Sequence, residues 1–164
     1  MNRFGIGQPV RRVEDQRFLT GRSRYVDDMQ LPHMLHGAVV MSPHAHARIL
    51  SIDTKPALAS PGVHLVLTGA DAQKEKLGGI PPLFMPEDMG GPKGYRTFRP
   101  LLEPAKARYV GDRIAFVVAD TPEQARVAAE KVEIDWEPLP AVVHVEDAAK
   151  EGAPKVWDDS TMGN

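Results

Sequence analysis

The chain has 164 residues, 20 of them basic and 22 acidic, so its formal charge is −2 and it lacks the clustered basic surface that nucleic-acid binding needs. It contains no cysteine, which excludes disulfides, thiolate nucleophiles, cysteine-type zinc sites and iron–sulfur ligands from this segment and fits a cytoplasmic protein. No apolar run approaches the ~20 residues of a membrane span, and the length suits one domain with at most an attached arm.

Residues 1–30 are polar and arginine-rich without a sustained period, which predicts an extended arm that crosses something larger. The apolar run 37–41 and the weakly alternating run 47–53 are predicted strands, with a turn at 42–44. Asp53 or Thr54 is expected to cap a short helix that ends near residue 58.

Residues 63–67 have the composition of a buried strand. Thr68, three residues before Asp71, then predicts the start of a second short helix. Residues 78–104 are rich in glycine and proline, so they are expected to form either a functional loop or a disordered one. The apolar stretch 83–85 indicates that part of this loop packs against a neighbour.

The strongest local pattern lies between residues 107 and 136. Two apolar runs, 107–110 and 114–119, are predicted strands joined by a tight turn at Gly111-Asp112. A helix is predicted to follow, with Thr121 as its cap and Pro122 at its first position. Its apolar face consists mostly of small residues that would let it lie close to a sheet: Ala125, Ala128, Ala129 and Val132.

Residues 132–136 alternate like a half-buried strand, and prolines end it. Short strands mixed with two or three short helices predict an α+β fold rather than a doubly wound parallel sheet.

Six motifs in one order carry a resemblance to a known family. They are TG with YVDD at 20–28, SPHAHARI at 42–49, SID at 51–53, PGV at 61–63, RYVGDRIA with VVAD at 108–120, and LPAV at 139–142. Together they resemble the N-terminal α/β hammerhead domain of the large, molybdopterin-binding subunit in the aldehyde oxidase, xanthine dehydrogenase and aerobic carbon monoxide dehydrogenase family.

The resemblance implies a hammerhead-type domain of small mixed sheets at 31–154, between the arm at 1–30 and the start of a linker at 155–164. It also implies that the molybdopterin cofactor, with its molybdenum, and the catalytic glutamate belong to a domain that follows this one. FAD and [2Fe-2S] clusters are expected in partner subunits or domains. No residue here matches the family's catalytic, cofactor-binding or metal motifs, so the segment itself is expected to catalyse nothing while the parent subunit is an oxidoreductase.

His44 and His46 are the residues most suggestive of a separate role. Two residues apart in a strand, their imidazoles would share a face and could ligate one metal, which makes a free-standing metal- or small-molecule-binding module the alternative function. Packing or interface roles are the competing interpretation. The remaining histidines lack ligand spacing, and the acidic pairs 27–28 and 158–159 are interpreted as turn or cap residues rather than acid–base pairs.

The arm at 1–30 and the loop at 78–104 are predicted to dock on the cofactor domain. This hypothesis depends on apolar side chains that a free-standing module would expose: Phe18, Phe84, Met85 and Phe98.

Overall fold

The computed structural model describes residues 11–158, which are divided between two compact units, Met1–Met34 and Leu35–Asn164. The first unit contains α1 (Asp15–Leu19) and a 3-10 helix (Val26–Asp28), so part of the predicted arm is helical. The rings of Phe18 and Tyr25 pack with their centroids 4.8 Å apart within this unit.

The second unit is an α+β fold of eight strands and four short helices within residues 35–158. Its elements, in chain order, are β1 (His36–Met41), β2 (Ala47–Asp53), α2 (Lys55–Leu58), β3 (Val63–Thr68), α3 (Gly69–Lys74), β4 (Gly79–Ile80), β5 (Arg99–Pro100), β6 (Lys106–Ala107), β7 (Arg113–Ala119), α4 (Pro122–Ala129), β8 (Glu133–Pro138) and α5 (Val145–Ala148). No helix within residues 11–158 has the length and apolar character needed to cross a membrane.

The strands form two three-stranded sheets. The first sheet has the order β1-β7-β3 and the second has the order β6-β2-β8, while β4 and β5 pair separately. The pairings found within residues 35–158 are antiparallel. Successive strands of the two larger sheets alternate between them, since β1, β3 and β7 lie in one and β2, β6 and β8 in the other. The predicted α+β class with small sheets is confirmed.

Helices α2 and α4 cover one face of the first sheet. The core cluster on that face is apolar throughout and consists of Ala57, Val66, Ala115, Val117, Ala128 and Val132. Ala125 and Ala128 are fully buried, and their small side chains let α4 lie close to β1 and β7. The predicted small-residue face of this helix is therefore confirmed.

The predicted helix starts are confirmed by the cap geometry. Thr68 and Asp71 form a reciprocal capping box at α3, in which the Thr68 amide donates to Asp71 Oδ2 at 2.9 Å. Thr121 Oγ1 accepts a hydrogen bond from the Gln124 amide at 3.2 Å at the start of α4. At α2 the capping acceptor is Asp53, whose Oδ1 accepts a hydrogen bond from the Lys55 amide at 3.0 Å.

The predicted pair of strands around the Gly111-Asp112 turn is wrong in two respects. The strand expected at 107–110 is reduced to β6, and β6 pairs with β2 in the second sheet, whereas β7 lies between β1 and β3 in the first. The Arg108 amide donates to Asp112 Oδ2 at 2.9 Å, and the Ser42 amide donates to the Asp112 carbonyl at 2.8 Å. These bonds hold the chain where it passes from one sheet to the other, a step that a local turn signal does not reveal.

The prediction that residues 63–67 are buried is also wrong. β3 is an edge strand, and only Val66 in it is buried, while His64 and Leu65 are exposed. Val63 and Val66 face the core cluster and account for the apolar composition on one side. Composition alone did not separate an edge strand with one covered face from a strand buried on both faces.

The glycine- and proline-rich segment 78–104 has some regular structure. Gly79–Ile80 pairs with Arg99–Pro100, and a 3-10 helix spans Pro86–Met89 between them. The carboxylate of Glu87 holds this segment together, since it accepts from the Gly94 amide at 2.9 Å and from Arg96 Nη2 at 3.2 Å. These hydrogen bonds hold the pKa of Glu87 below its usual value, with the Gly94 amide as the largest cause.

Candidate functional site

The face of the first sheet opposite α4 is apolar but incompletely covered. Residues directly opposite each other in paired strands point to the same side, so this face carries residues from all three strands. Its members, called here the open face, are Gly37, Val39, Leu65, Leu67, Phe116 and Val118. Val39 is 36% exposed and Leu65 is 42% exposed, and Leu67, Phe116 and Val118 are only partly buried.

Gly37 and Phe116 make the open face flat. A Cβ atom placed on Gly37 would lie 2.3 Å from Cζ of Phe116, so the ring occupies the space above the glycine. The ring therefore lies along the sheet surface rather than projecting from it. A flat apolar surface across three strands is suited to contact with another folded surface.

The segment 78–104 exposes several of its apolar side chains. Phe84 is 77% exposed, and Leu83 and Phe98 are also exposed, as the docking hypothesis requires. Met85 contradicts that hypothesis, because it is only 6% exposed and would contact a Cβ added at Gly94. The predicted packing of 83–85 on a neighbour holds for Met85 alone. Phe18, in the first unit, is partly buried beside Tyr25.

His44 and His46 do not form a shared metal-binding face. They lie in the bend before β2, not within a strand, so the expected alternation does not apply. The His44 ring packs edge-on against Trp136 with centroids 5.4 Å apart. His46 is buried, and its Nδ1 lies 2.8 Å from the carbonyl oxygen of Pro140. Residues 11–158 contain no group of three or more histidine, aspartate or glutamate side chains placed to hold a metal ion.

The acidic pairs fall partly within the described chain. Asp28 Oδ2 accepts from the Tyr25 amide at 2.9 Å and closes the 3-10 helix, which confirms a cap role. Asp158 pairs with Lys106, and that bond lowers the pKa of Asp158. Asp159 lies outside the described residues.

A buried polar cluster lies beside the second sheet. Arg108 Nη1 is 2.7 Å from Glu103 Oε2, and the Arg108 guanidinium lies 4.0 Å from the centroid of the Trp157 ring. Burial raises the pKa of Glu103, against the opposing effect of the Arg108 charge. Asp112 is buried and accepts the amides of Arg108 and Arg113 at 2.9 and 3.1 Å.

Sequence reasoning did not identify this cluster. Its members come from three places, namely the approach to β6, the turn before β7, and residues 156–158, which were interpreted as the start of a linker. The available signal was the group of charged residues Glu103, Lys106 and Arg108, of which Arg108 lies in the predicted strand 107–110. Charged residues are rarely buried unless they are paired, and Lys106 and Arg108 find Asp158 and Trp157 far away in the sequence.

Known proteins give a consistent comparison. The family described as "Aldehyde oxidase and xanthine dehydrogenase, a/b hammerhead domain" matches residues 20–140. The carbon monoxide dehydrogenase large chain of Afipia carboxidovorans is 43% identical over 155 residues, which cover 94% of this chain and 18% of the relative. The nicotine 6-hydroxylase large subunit of Paenarthrobacter nicotinovorans is 39% identical over 138 residues, which cover 84% of this chain and 16% of the relative.

Solved structures agree with these relatives. The quinoline 2-oxidoreductase of Pseudomonas putida 86 superposes with a TM-score of 0.76 at 42% identity, covering 93% of this chain and 19% of that one. The chain therefore spans about a fifth of the length of the proteins it matches.

Proposed function

Because this chain belongs to the aldehyde oxidase and xanthine dehydrogenase hammerhead-domain family, we propose that it is a non-catalytic domain of a larger molybdenum hydroxylase subunit. Its role there is to hold the domains or subunits of the enzyme together. The open face of the first sheet is the observation that carries this proposal. A sheet that is apolar on both faces is normally covered on both, and here α2 and α4 cover only one.

The exposed apolar side chains of segment 78–104 support a second contact area. Phe84, Phe98 and Leu83 are exposed together in one segment whose backbone is held by Glu87. A contact made by 1–30 stays a prediction, as do the domain limits 31–154 and the linker at 155–164. The cytoplasmic location is a further prediction, to be checked by cell fractionation.

The cofactors of such an enzyme are assigned to other parts of the assembly. The chain has no cysteine with which to hold an iron–sulfur cluster, and its described residues offer no cluster of metal ligands. We therefore place molybdopterin in the rest of the same subunit, and FAD and [2Fe-2S] clusters in partner domains or subunits. The relatives differ in the substrates that their names state, carbon monoxide and nicotine, so we also assign substrate selection to the rest of the subunit.

The first test is the mass of the native polypeptide, detected in source cells with an antibody against this chain. We expect a band several times larger than 18.0 kDa that co-purifies with molybdenum. A native band at 18.0 kDa would contradict the proposal.

A second test locates the docking surface in the full-length subunit. Val39→Lys and Leu65→Lys place a charge on the open face, and Val127→Lys places one on the outer side of α4 at a similar starting exposure of 38%. Burying an aliphatic side chain stabilises by about 1.5–3 kcal/mol, so we expect both open-face variants to lower the yield of assembled, molybdenum-loaded enzyme at least several-fold. Size-exclusion chromatography with metal analysis measures this. Equal loss in the Val127→Lys control would show that the open face is not the docking surface.

A further inference from the structure

The polar cluster beside the second sheet borders a partly open cavity. Its volume is about 210 Å³, below the range of about 300–1,000 Å³ that drug-sized ligands occupy. Residues from β5, from the turn before β7 and from the segment Val156–Trp157 line it. A cavity of this size would take a small group rather than a cofactor.

The charges around the cavity are unevenly matched. Three arginines line it, Arg99, Arg108 and Arg113, against the two carboxylates of Glu103 and Asp112. Glu103 is engaged by Arg108, and Asp112 by backbone amides. Within residues 35–158, neither Arg99 nor Arg113 has a salt bridge or a side-chain hydrogen bond, although the charge of Arg113 acts on Glu103. Two of the arginines that line the cavity therefore lack such a partner in this part of the chain.

The two arginines stand on backbone that is already fixed. Arg99 lies in β5 opposite Ile80, and Arg113 begins β7 opposite Met41. The Glu103 amide donates to the Arg113 carbonyl at 2.7 Å and joins the segment after β5 to β7. The Trp157 ring, stacked on Arg108, closes one side of the cavity. The backbone positions of both arginines are therefore set before an anion binds.

We propose that this cavity is a binding site for a small oxyanion, either a phosphate or a carboxylate group. Arg99 and Arg113 bind the anion, and Trp157 forms one wall of the site. The planar donor fork of arginine matches both oxyanions, and bidentate contacts to them are strong. The site involves none of the open-face residues, and it shares Arg99, Pro100 and Glu103 with segment 78–104.

Trp157 provides the measurement. The chain has two tryptophans, so Trp136→Phe leaves Trp157 as the only fluorescent indole. This variant of the 164-residue chain is titrated with sodium phosphate, and separately with sodium acetate, at constant ionic strength maintained with sodium chloride. We expect a saturable change in Trp157 emission with a Kd in about the millimolar range. A response to both anions assigns a general oxyanion site, and a response to phosphate or acetate alone assigns the ligand class.

Arg113→Gln and Arg99→Gln are each expected to weaken binding about tenfold or more. Arg96→Gln is the matched control, because Arg96 is paired with Glu87 and does not line the cavity. Arg99 is exposed, so Arg99→Gln keeps the test decisive if Arg113→Gln fails to fold. A linear response, or an Arg99→Gln titration that matches the parent, would overturn the proposal.

Discussion

Gly69 is a residue whose lack of a side chain decides local packing. A Cβ added there would lie 2.5 Å from the backbone nitrogen of Pro104 and 2.6 Å from the carbonyl carbon of Glu103. Backbone cannot move aside as a side chain end can, so Gly69→Ala is expected to lower the free energy of unfolding by about 1–3 kcal/mol. Urea denaturation measures this. Gln73→Ala, an exposed change in the same helix, serves as the control and should be close to neutral.

Asp71 gives a pH-dependent prediction. Its hydrogen bonds with the Thr68 hydroxyl and amide lower the pKa of Asp71 from 3.8, so the folded state favours the ionised form. Its contribution is fully present above pH 3.8 and is lost as the pH falls through the still lower folded pKa. Asp71→Asn should therefore destabilise at pH 7 by about 0.5–2 kcal/mol. The difference from the parent should vanish in strong acid, and a difference that is constant from pH 7 to pH 2 would contradict this account.

Single residues were predictable where their partners were close in sequence. Thr68 and Thr121 each cap a helix by bonding to the residue three positions ahead, and the sequence indicated both caps. Glu103, Arg108 and Trp157 were not predicted as a cluster, because Trp157 contacts Arg108 from a segment far away in the sequence. The metal hypothesis for His44 and His46 required both residues to lie in a strand, whereas β2 begins at Ala47, as the predicted strand does.

Among the elements, α4 allows the sharpest test of packing. Ala128 is fully buried in the core cluster, whereas its neighbour Val127 is 38% exposed on the other side of the helix. Ala128→Leu should lower the free energy of unfolding by about 1–3 kcal/mol, because added methylene groups have no space between helix and sheet. Thermal and urea unfolding measure the change. Val127→Leu adds bulk on the exposed side, and a comparable loss there would argue against close packing of α4 on the sheet.

Helices and strands were predicted correctly where the spacing of apolar residues along the sequence identified the buried face of a single element. The i, i+3, i+4 spacing of Ala125, Ala128 and Ala129 predicted α4, and the bounds of β2 agree with the predicted run. It failed where the answer depended on neighbours in space. The apolar run 63–67 did not reveal that β3 lies at a sheet edge, and the Gly111-Asp112 turn did not reveal a change of sheet.

For the whole molecule, the open face predicts the behaviour of the chain on its own. Val39 and Leu65 stay in contact with solvent without a covering partner, so the folded chain should bind a hydrophobic dye such as anilinonaphthalene sulfonate. A Val39→Glu, Leu65→Glu double variant should lower this fluorescence while keeping its circular dichroism spectrum, since the acidic groups also repel the sulfonate of the dye. Unchanged dye binding in the double variant would locate the accessible apolar surface elsewhere.

The resemblance to the family predicted the hammerhead domain, which the family match confirms, but it did not predict the open face. Segment 78–104 was identified from its composition, and its exposed Phe84 and Phe98 agree with that prediction. The open face was missed because its residues come from β1, β3 and β7 and meet only after folding. Each run was interpreted one strand at a time, and only their common register shows a continuous apolar surface.

The alternation of successive strands between the two larger sheets has a kinetic consequence. The first sheet pairs Ala38 with Val117, and the second pairs Ile52 with Ile134, so neither can nucleate as a local hairpin. Chain entropy must be lost over long loops before these contacts form, which gives a high contact order. Refolding should accordingly take milliseconds to seconds rather than microseconds. During synthesis, the first sheet can form only after β7 has left the ribosome, and the second only after β8 has done so. The domain therefore folds late in its own synthesis and nearly all at once.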